Sequence, residues 1–246
     1  FTLAWTGAIA FAVQAVADFS GYSDMARGLA RMLGYDLPEN FRLPCLARGF
    51  ADFWRRWHIT FSTWLRDYVY IPLGGNRKGR ARTHVNTMLT MLLCGLWHGA
   101  NWNFVAWGGL NGALLCAERE VKALGKRWPG VQAAALSMYG QAVIITFTFL
   151  CVCMTMVFFR ASDLASALDM LATMLNPSLA QDWRPDWKVA GVVALAFALD
   201  VVQVRRPIDT RLMWLHPWVA ALLLLLLALA IEIWGAPSQA FIYYVF

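Results

Sequence analysis

The segment most able to do chemistry is residues 94–102, Cys94-Gly95-Leu96-Trp97-His98-Gly99-Ala100-Asn101-Trp102. It holds one imidazole, that of His98, between two apolar runs at residues 85–93 and 104–115. Runs of this length and residue type predict two helices joined by a short turn at residues 99–101. A polar side chain between helices in lipid is costly unless it is hydrogen-bonded or used. His98 is therefore the first candidate for a catalytic residue.

Two interpretations of His98 compete. A single histidine in an apolar helix is commonly a core residue whose ring bonds to a backbone carbonyl. Here the neighbouring polar and indole side chains offer a walled polar pocket, and Gly99 allows a substrate to approach closely. An imidazole has an unperturbed pKa of about 6.5, so it can take up and return a proton near neutral pH. The flanking residues favour a general base.

The second imidazole, His58, lies in the aromatic segment 48–73. Aromatic and leucine side chains recur there every three or four residues, with arginines and aspartates between them. This pattern predicts one amphipathic helix with a cationic face, at the lipid headgroups or dipping into the protein. The simplest interpretation of His58 is then a solvated histidine at the membrane interface.

Composition indicates a membrane protein. Of the 246 residues, 59% are apolar and 13 are tryptophan, and the mean hydropathy is +0.49. A soluble domain is usually about 45–50% apolar. The net charge of +6 comes from basic residues placed between apolar runs. Anionic lipid and the positive-inside bias explain that placement better than nucleic acid does, so no nucleic-acid partner is expected.

Several classes of site find no support in the sequence. The five cysteines form no C-x-x-C pair and lie mostly in apolar runs, so we interpret them as small core residues. The two candidate histidines have no cysteine or carboxylate at ligand spacing, so no metal site is predicted. The motifs of serine hydrolases, P-loop nucleotide hydrolases and dinucleotide-binding enzymes do not occur.

Apolar runs recur along the chain and predict an all-α, multi-pass membrane protein. Besides the hairpin at 85–115, the predicted spans are residues 1–17, 132–159, 189–204 and 214–234. Polar stretches are predicted at 18–24 and 118–129, and amphipathic helices at 25–33 and from Ser162-Asp163 to near Asn176. We expect one membrane domain over residues 1–246. The lack of a start methionine or signal peptide predicts that it begins part-way through a longer protein.

The arginines of the aromatic segment, Arg55, Arg56 and Arg66, continue into a basic loop at residues 77–82. Such clusters most often anchor a protein at the membrane surface. The alternative is a cytoplasmic collar that attracts an anionic acyl donor, such as a phosphopantetheine carrier or coenzyme A.

Four segments resemble the membrane-bound O-acyltransferase family. They are DFSGYSDMA at 18–26, FWRRWHI at 53–59, LRDYVYIPLGGN at 65–76 and GLWHGA at 95–100. FFRA at 158–161 and FIYYVF at 241–246 are also similar to the bacterial branch that contains the alginate O-acetylation and teichoic-acid D-alanylation membrane proteins. The resemblance implies a helical funnel with amphipathic and re-entrant helices, of which this chain is the C-terminal portion.

The resemblance also implies roles for the two histidines. His98 matches the signature histidine of the family, and His58 matches its second position. The family passes an acyl group from a cytoplasmic thioester, acetyl-CoA or an acyl carrier, to a hydroxyl, in this branch on the outer face of the bacterial inner membrane. The implied partners are lipid, the acyl donor and periplasmic or extracellular acetyltransferases, and no bound cofactor is implied.

Acyl transfer from a thioester to an alcohol needs a base for the hydroxyl proton, since a thiolate already leaves well. His98 would take that proton in a water-poor cavity. His58 would position either the carbonyl or the acceptor, and Trp57, Trp97 and Asn101 are expected to line the cavity and contact substrate.

Three functions are therefore open. The leading one is O-acetylation of an exported polysaccharide such as alginate. The second is D-alanyl transfer to teichoic acid. The third is a non-enzymatic channel or scaffold in a polysaccharide export complex.

Overall fold

The computed structural model describes residues 1–180 and isolated positions between 187 and 222. These residues form helices and turns without a strand, which confirms the all-α prediction for the described part of the chain. Residues 1–193 form one compact unit and residues 194–246 a second, and only the first is described in detail. Apart from isolated positions, the helices predicted at 189–204 and 214–234 and the motif at 241–246 lie outside the described residues. The single domain stays a prediction.

Residues 1–180 contain eight α-helices, with longer links at residues 33–49 and 66–79 and short turns between the others. They are α1, Thr2–Met32; α2, Phe50–Arg56; α3, Ile59–Leu65; α4, Arg80–His98; α5, Trp102–Gly125; α6, Pro129–Leu136; α7, Met138–Arg160; and α8, Leu164–Leu175. Two 3₁₀ turns, Pro44–Leu46 and Pro177–Ala180, and a π-helical turn, Arg66–Tyr70, accompany them.

The first helix is longer than predicted. The polar stretch at residues 18–24 was expected to end it, yet α1 continues through that stretch as one helix of 31 residues. The polar side chains are accommodated on the helix surface, where Asp24 and Arg27 lie one turn apart and pair at 3.2 Å. Pairs at this spacing support a helix.

The prediction of a single helix over residues 48–73 is wrong. The segment is divided into α2, α3 and the following π-helical turn, with a sharp break at His58. The backbone of His58 is left-handed, with φ 45° and ψ 53°. Few residues other than glycine adopt this conformation, and it ends the helical path of α2.

Residues outside the segment hold this break. The Ile59 N–H donates to the carbonyl of Asn40 at 2.9 Å, and the Arg42 N–H donates to the carbonyl of Arg56 at 2.9 Å. The loop before α2 thus supplies backbone partners on both sides of His58. The spacing of aromatic residues contains no signal for these long-range bonds, which is why it predicted one helix.

The predicted hairpin is confirmed: α4 and α5 are antiparallel and meet at the turn after His98. Glycines let the two backbones come together. A Cβ atom on Gly95 would lie 2.1 Å from the Phe104 carbonyl oxygen, and one on Gly108 would lie 2.3 Å from the Met91 carbonyl oxygen. No larger side chain fits there, so this packing depends on glycine.

Two further boundaries differ from those predicted. α5 runs to Gly125, so it includes residues 118–125 of the stretch 118–129 that the sequence predicts to be a polar loop, and Glu118 pairs with Lys122 along it. The span predicted over 132–159 is divided into α6 and α7 at Ser137, whose hydroxyl accepts the N–H of Gly140 at 3.1 Å. Local side-chain pairs and caps of this kind set helix ends more sharply than hydropathy does.

The amphipathic helix predicted from Ser162-Asp163 is confirmed as α8. Asp163 caps it, since its Oδ1 accepts the Ser166 N–H at 2.8 Å. Two helices of the described residues, α1 and α7, are long and apolar enough to cross a membrane. They pack against each other, and α5 packs against α7 and α2. The position of the α4–α5 hairpin in lipid stays a prediction.

We expect Gly95→Ala to lower the thermal unfolding midpoint of the full-length protein in detergent, because the new methyl group would force α4 and α5 apart. Overpacking of this kind typically costs roughly 1–3 kcal/mol. Gly109→Ala is the matched control, since its Cβ would lie 3.7 Å from the Leu92 side chain, an ordinary contact. Equal midpoints for the two variants would contradict the close approach.

Candidate active site

His98 is the last residue of α4, and Gly99, with φ 154°, ends the helix. Aromatic rings surround its half-buried imidazole. The centroid of the His98 ring lies 4.9 Å from the ring centroid of Trp97, 5.2 Å from that of Trp107 and 4.9 Å from that of Phe159. The cage is therefore built by α4, α5 and α7 together, and it shields the imidazole from bulk water.

His58 is also packed among aromatic rings, some of which contact His98. Its ring centroid is 4.8 Å from that of Phe19 on α1 and 5.0 Å from that of Phe61 on α3. Its Nδ1 lies 3.2 Å from Oδ1 of Asn40. His58 is half-buried, so it is not the fully solvated residue of the simplest interpretation, and its position relative to the membrane interface stays a prediction.

Two rings contact both imidazoles. Phe61 lies 5.0 Å from His58 and 6.4 Å from His98, and Trp97 lies 6.2 Å from His58 and 4.9 Å from His98, between ring centroids. Phe61 and Trp97 themselves pack at 4.3 Å. The fold thus brings the two candidate histidines against the same two aromatic rings, Phe61 and Trp97, although forty positions separate them in the sequence.

His58 lies between α2 and α3, outside both helices that can span a membrane. Burial lowers the pKa of its imidazole to about 4, so the ring is neutral near neutral pH. A neutral imidazole has one N–H donor and one acceptor nitrogen. Such a ring can orient a hydroxyl or take part in proton transfer.

The other predicted site residues occupy different surroundings. Trp57 is only 4% exposed and packs against Phe41 and Phe53, so it supports the wall behind His58. Its predicted contact with substrate stays a prediction that this burial does not favour. Trp97 is 56% exposed, and its ring contacts both histidines, but it is not among the residues that line the cavity described below. Its contact with substrate stays a prediction.

Asn101 has a structural role that the sequence analysis did not assign. It is the N-cap of α5, and its Oδ1 accepts the N–H of Asn103 at 3.0 Å. Asn103 in turn donates from Nδ2 to the carbonyl of Ala161 at 3.0 Å, which ties the turn after His98 to the end of α7. A contact between Asn101 and substrate stays a prediction.

Sequence reasoning missed several residues of the site. Asn40 has no spacing signal, because it lies in a loop and meets His58 only in the folded chain. Phe61 and Trp107 carried only the signal of apolar periodicity. Phe159 lies within the FFRA motif quoted above, so that motif could have identified it. Within residues 1–180 and the few described positions beyond them, no group of three His, Cys, Asp or Glu side chains could hold a metal ion.

A cavity of about 650 Å³ lies between the segment α2–α3 and the hairpin α4–α5. Neither His58 nor His98 is among its lining residues. Trp54, Leu65 and Met91 are among its apolar lining residues. Its cationic lining residues are Arg55, Arg66, Arg119, Lys122 and Lys126. Trp54 also packs against Trp107 at 5.8 Å between ring centroids, and Trp107 contacts His98.

One carboxylate stabilises the elements around this cavity. Glu118 of α5 accepts the N–H of Ala51 at 2.8 Å in the first turn of α2, and it lies against Gly49, where a Cβ atom would be only 2.4 Å from Oε1.

A second carboxylate, Asp52, lies within α2. Burial raises the pKa of Asp52, but hydrogen bonds from the Arg48 N–H and the Arg56 side chain together hold that pKa below its usual range.

Residues 1–160 match the model of the membrane-bound O-acyltransferase family. The chain belongs to this family. The family and the two apolar helices together identify a membrane protein, and the resemblance found in the motifs is confirmed.

Relatives within the membrane-bound O-acyltransferase family are similar to parts of the chain. A probable alginate O-acetylase AlgI of Azotobacter vinelandii is 47% identical over 173 residues, 70% of this chain and 33% of that protein. A peptidoglycan O-acetyltransferase of Helicobacter pylori is 41% identical over 72% of this chain and 32% of its own length. A teichoic acid D-alanyltransferase of Bacillus subtilis is 28% identical over 54% of this chain and 35% of its own length.

The chain matches about a third of the length of these curated relatives. The family model matches residues 1–160, which include both candidate histidines.

We expect Asn101→Ala to destabilise the full-length protein by about 1 kcal/mol, because the N-cap of α5 is lost. Asn101→Asp keeps an acceptor oxygen and should retain most of the stability. Intrinsic tryptophan fluorescence during thermal unfolding measures both. An alanine variant that unfolds at the wild-type midpoint, yet loses function, would instead favour contact with substrate.

Proposed function

We propose that this chain is the catalytic part of an O-acyltransferase that moves an acetyl group from a cytoplasmic thioester to hydroxyls of an exported polysaccharide. The observation that carries the proposal is the contact of Trp97 with both His98 and His58, in a chain similar to alginate and peptidoglycan O-acetylating proteins. The protein would be a multi-pass protein of the bacterial inner membrane.

The reaction assigns a simple task to His98. Its neutral imidazole takes the proton of the acceptor hydroxyl, and the oxygen forms a bond to the thioester carbonyl carbon. The carbon–sulfur bond then breaks, and the thiolate leaves with the proton that His98 returns. General base catalysis of this kind contributes about 10²–10⁴-fold to a rate. The aromatic cage supports this task because it limits the water that would hydrolyse the thioester.

The acyl donor would enter through the basic cavity. Coenzyme A and the phosphopantetheine arm of a carrier protein both combine phosphate groups with a long thiol-bearing chain. Arginine and lysine side chains suit phosphate, and the apolar wall at Trp54, Leu65 and Met91 suits the chain. The Trp54–Trp107 contact then leads from this cavity toward His98.

Comparison of the relatives favours acetyl transfer. The alginate O-acetylases and the peptidoglycan O-acetyltransferase are 41–47% identical to this chain, whereas the teichoic acid D-alanyltransferase of B. subtilis is 28% identical. We therefore place D-alanyl transfer second. Membrane lipid and periplasmic or extracellular acetyltransferases would be the partners, and a purely scaffolding role would need neither histidine.

We expect His98→Ala to reduce transfer of labelled acetyl groups to polysaccharide at least about 100-fold in the full-length protein, because the general base is removed. The measurement is incorporation of label from acetyl-CoA or an acetylated carrier in membranes with equal amounts of protein. D-alanyl carrier is supplied in parallel.

The matched control is His84→Gln, on the same helix. His84 Nε2 pairs with Glu120 at 2.7 Å on the far side of the hairpin from the turn, so its loss should leave acetyl transfer within about twofold. Normal transfer by the His98 variant would overturn the proposal. Incorporation of D-alanine instead of acetyl would favour the second function.

We expect the double variant Arg119→Glu, Lys126→Glu to raise the KM for the acyl donor about tenfold or more, with a smaller change in kcat, because two cations near the donor phosphates are reversed. Steady-state kinetics at low and high salt measure the effect, which salt should weaken. Arg31→Glu, on an exposed residue outside both the cavity lining and the basic loop 77–82, is the control. Equal KM values for both variants would exclude this cavity as the donor site.

A further inference from the structure

Asn40 connects three separate parts of the chain around His58. Its Oδ1 lies 3.2 Å from the His58 Nδ1 and accepts the Thr60 N–H at 3.3 Å and the Thr60 hydroxyl at 2.9 Å. Its Nδ2 donates to the Ser23 hydroxyl of α1 at 3.2 Å. Its backbone carbonyl accepts the Ile59 N–H at 2.9 Å. The proposed acyl transfer does not yet use this residue.

These contacts determine which way the Asn40 amide faces. The Thr60 backbone N–H can only donate, so the amide atom that meets it must be the acceptor oxygen. With the amide reversed, two donors would face each other at that point. The oxygen therefore also faces the His58 ring. Because an amide oxygen can only accept, Nδ1 of His58 must be the atom that carries the hydrogen.

We propose that Asn40 is a positioning residue that holds His58 in the tautomer with its proton on Nδ1. Nε2 is then left as an acceptor for a hydroxyl of the polysaccharide next to the one whose proton His98 takes. This inference rests on the proposed function for the identity of the substrate, but the tautomer itself does not. It also decides between the two roles considered for His58. A ring whose Nε2 is unprotonated cannot donate a hydrogen bond to the thioester carbonyl through that atom, so His58 orients the acceptor alcohol.

The backbone geometry supports a role beyond packing. His58 occupies a left-handed conformation that is unfavourable for most residues, and the Asn40 carbonyl is one of the groups that hold it there. Asn40 thus controls both the direction of the ring and the position of its proton. A histidine needed only for packing would not require the second of these.

The direct test is ¹⁵N NMR of the full-length protein labelled at histidine, with His58 assigned by comparison with His58→Gln. We expect wild-type His58 to show a protonated Nδ1 and an unprotonated Nε2. A wild-type spectrum with the proton on Nε2 would overturn the inference without any need for a variant. Asn40→Leu, which has similar volume and no acceptor, should shift the proton toward Nε2, and an unchanged tautomer there would also overturn it.

Kinetics separate positioning from stability. Asn40→Leu should lower kcat/KM for the polysaccharide acceptor about tenfold or more, with the KM for the acyl donor unchanged. Asn40→Asp keeps the acceptor oxygen and should restore most of the activity. Ser23→Ala is the matched control: it removes the partner of Nδ2 but leaves the oxygen in place, so it should behave as wild type. Loss of activity in Ser23→Ala equal to that in Asn40→Leu would indicate a merely structural network.

The two proposals fail in different ways. The NMR measurement needs no acyl donor or acceptor, so an Nδ1-protonated His58 in a protein that transfers no acyl group would overturn the proposed function alone. An Nε2-protonated His58 in an active enzyme would overturn this inference alone.

Discussion

The close approach of the α4 and α5 backbones is the constraint on which the site depends. Gly95 and Gly108 leave only backbone at the contact, and a single methyl group would meet a carbonyl oxygen at little more than 2 Å. Because Gly95 lies one turn before His98, this contact sets how deeply the imidazole enters the cluster formed with Trp107 and Phe159. Helices that associate in lipid commonly use small residues in this way, since the gain comes from van der Waals packing and not from release of water.

The break in the backbone at His58 brings this residue close to the rings that surround His98. A continuous helix over residues 48–73 would have presented its side chains in regular turns, whereas the left-handed residue redirects the chain so that α3 brings Phe61 against Trp97. The strained conformation persists because the loop before α2 supplies hydrogen bonds to both sides of it. Backbone strain at His58, a candidate functional residue, fits the general finding that unusual backbone geometry clusters at functional sites.

The aromatic surroundings suit the role that we propose for the two histidines in acyl transfer. Burial keeps the His58 imidazole neutral, and a neutral ring can accept a hydrogen bond from an alcohol. The same rings reduce the access of water, which would otherwise compete with the alcohol for the thioester. The basic cavity beyond Trp54 adds charge at a distance, where it can attract an anionic donor without acting on the histidines directly.

Much of this protein followed from local sequence. Apolar runs predicted the all-α class, the break at residues 99–101 predicted the α4–α5 hairpin, and Asp163 predicted the start of α8, because each depends on residues within one or two turns. The motifs around His58 and His98 indicated the family. The capping role of Asn101 is local as well, because its Oδ1 accepts the N–H of Asn103, so the sequence could have indicated it. What only the tertiary structure decided is the break at His58 and the part played by Asn40. Both depend on contacts between residues far apart in the chain, above all the hydrogen bonds between Asn40 and residues 58–60. The periodicity of a sequence carries no information about contacts that form only when distant segments fold together.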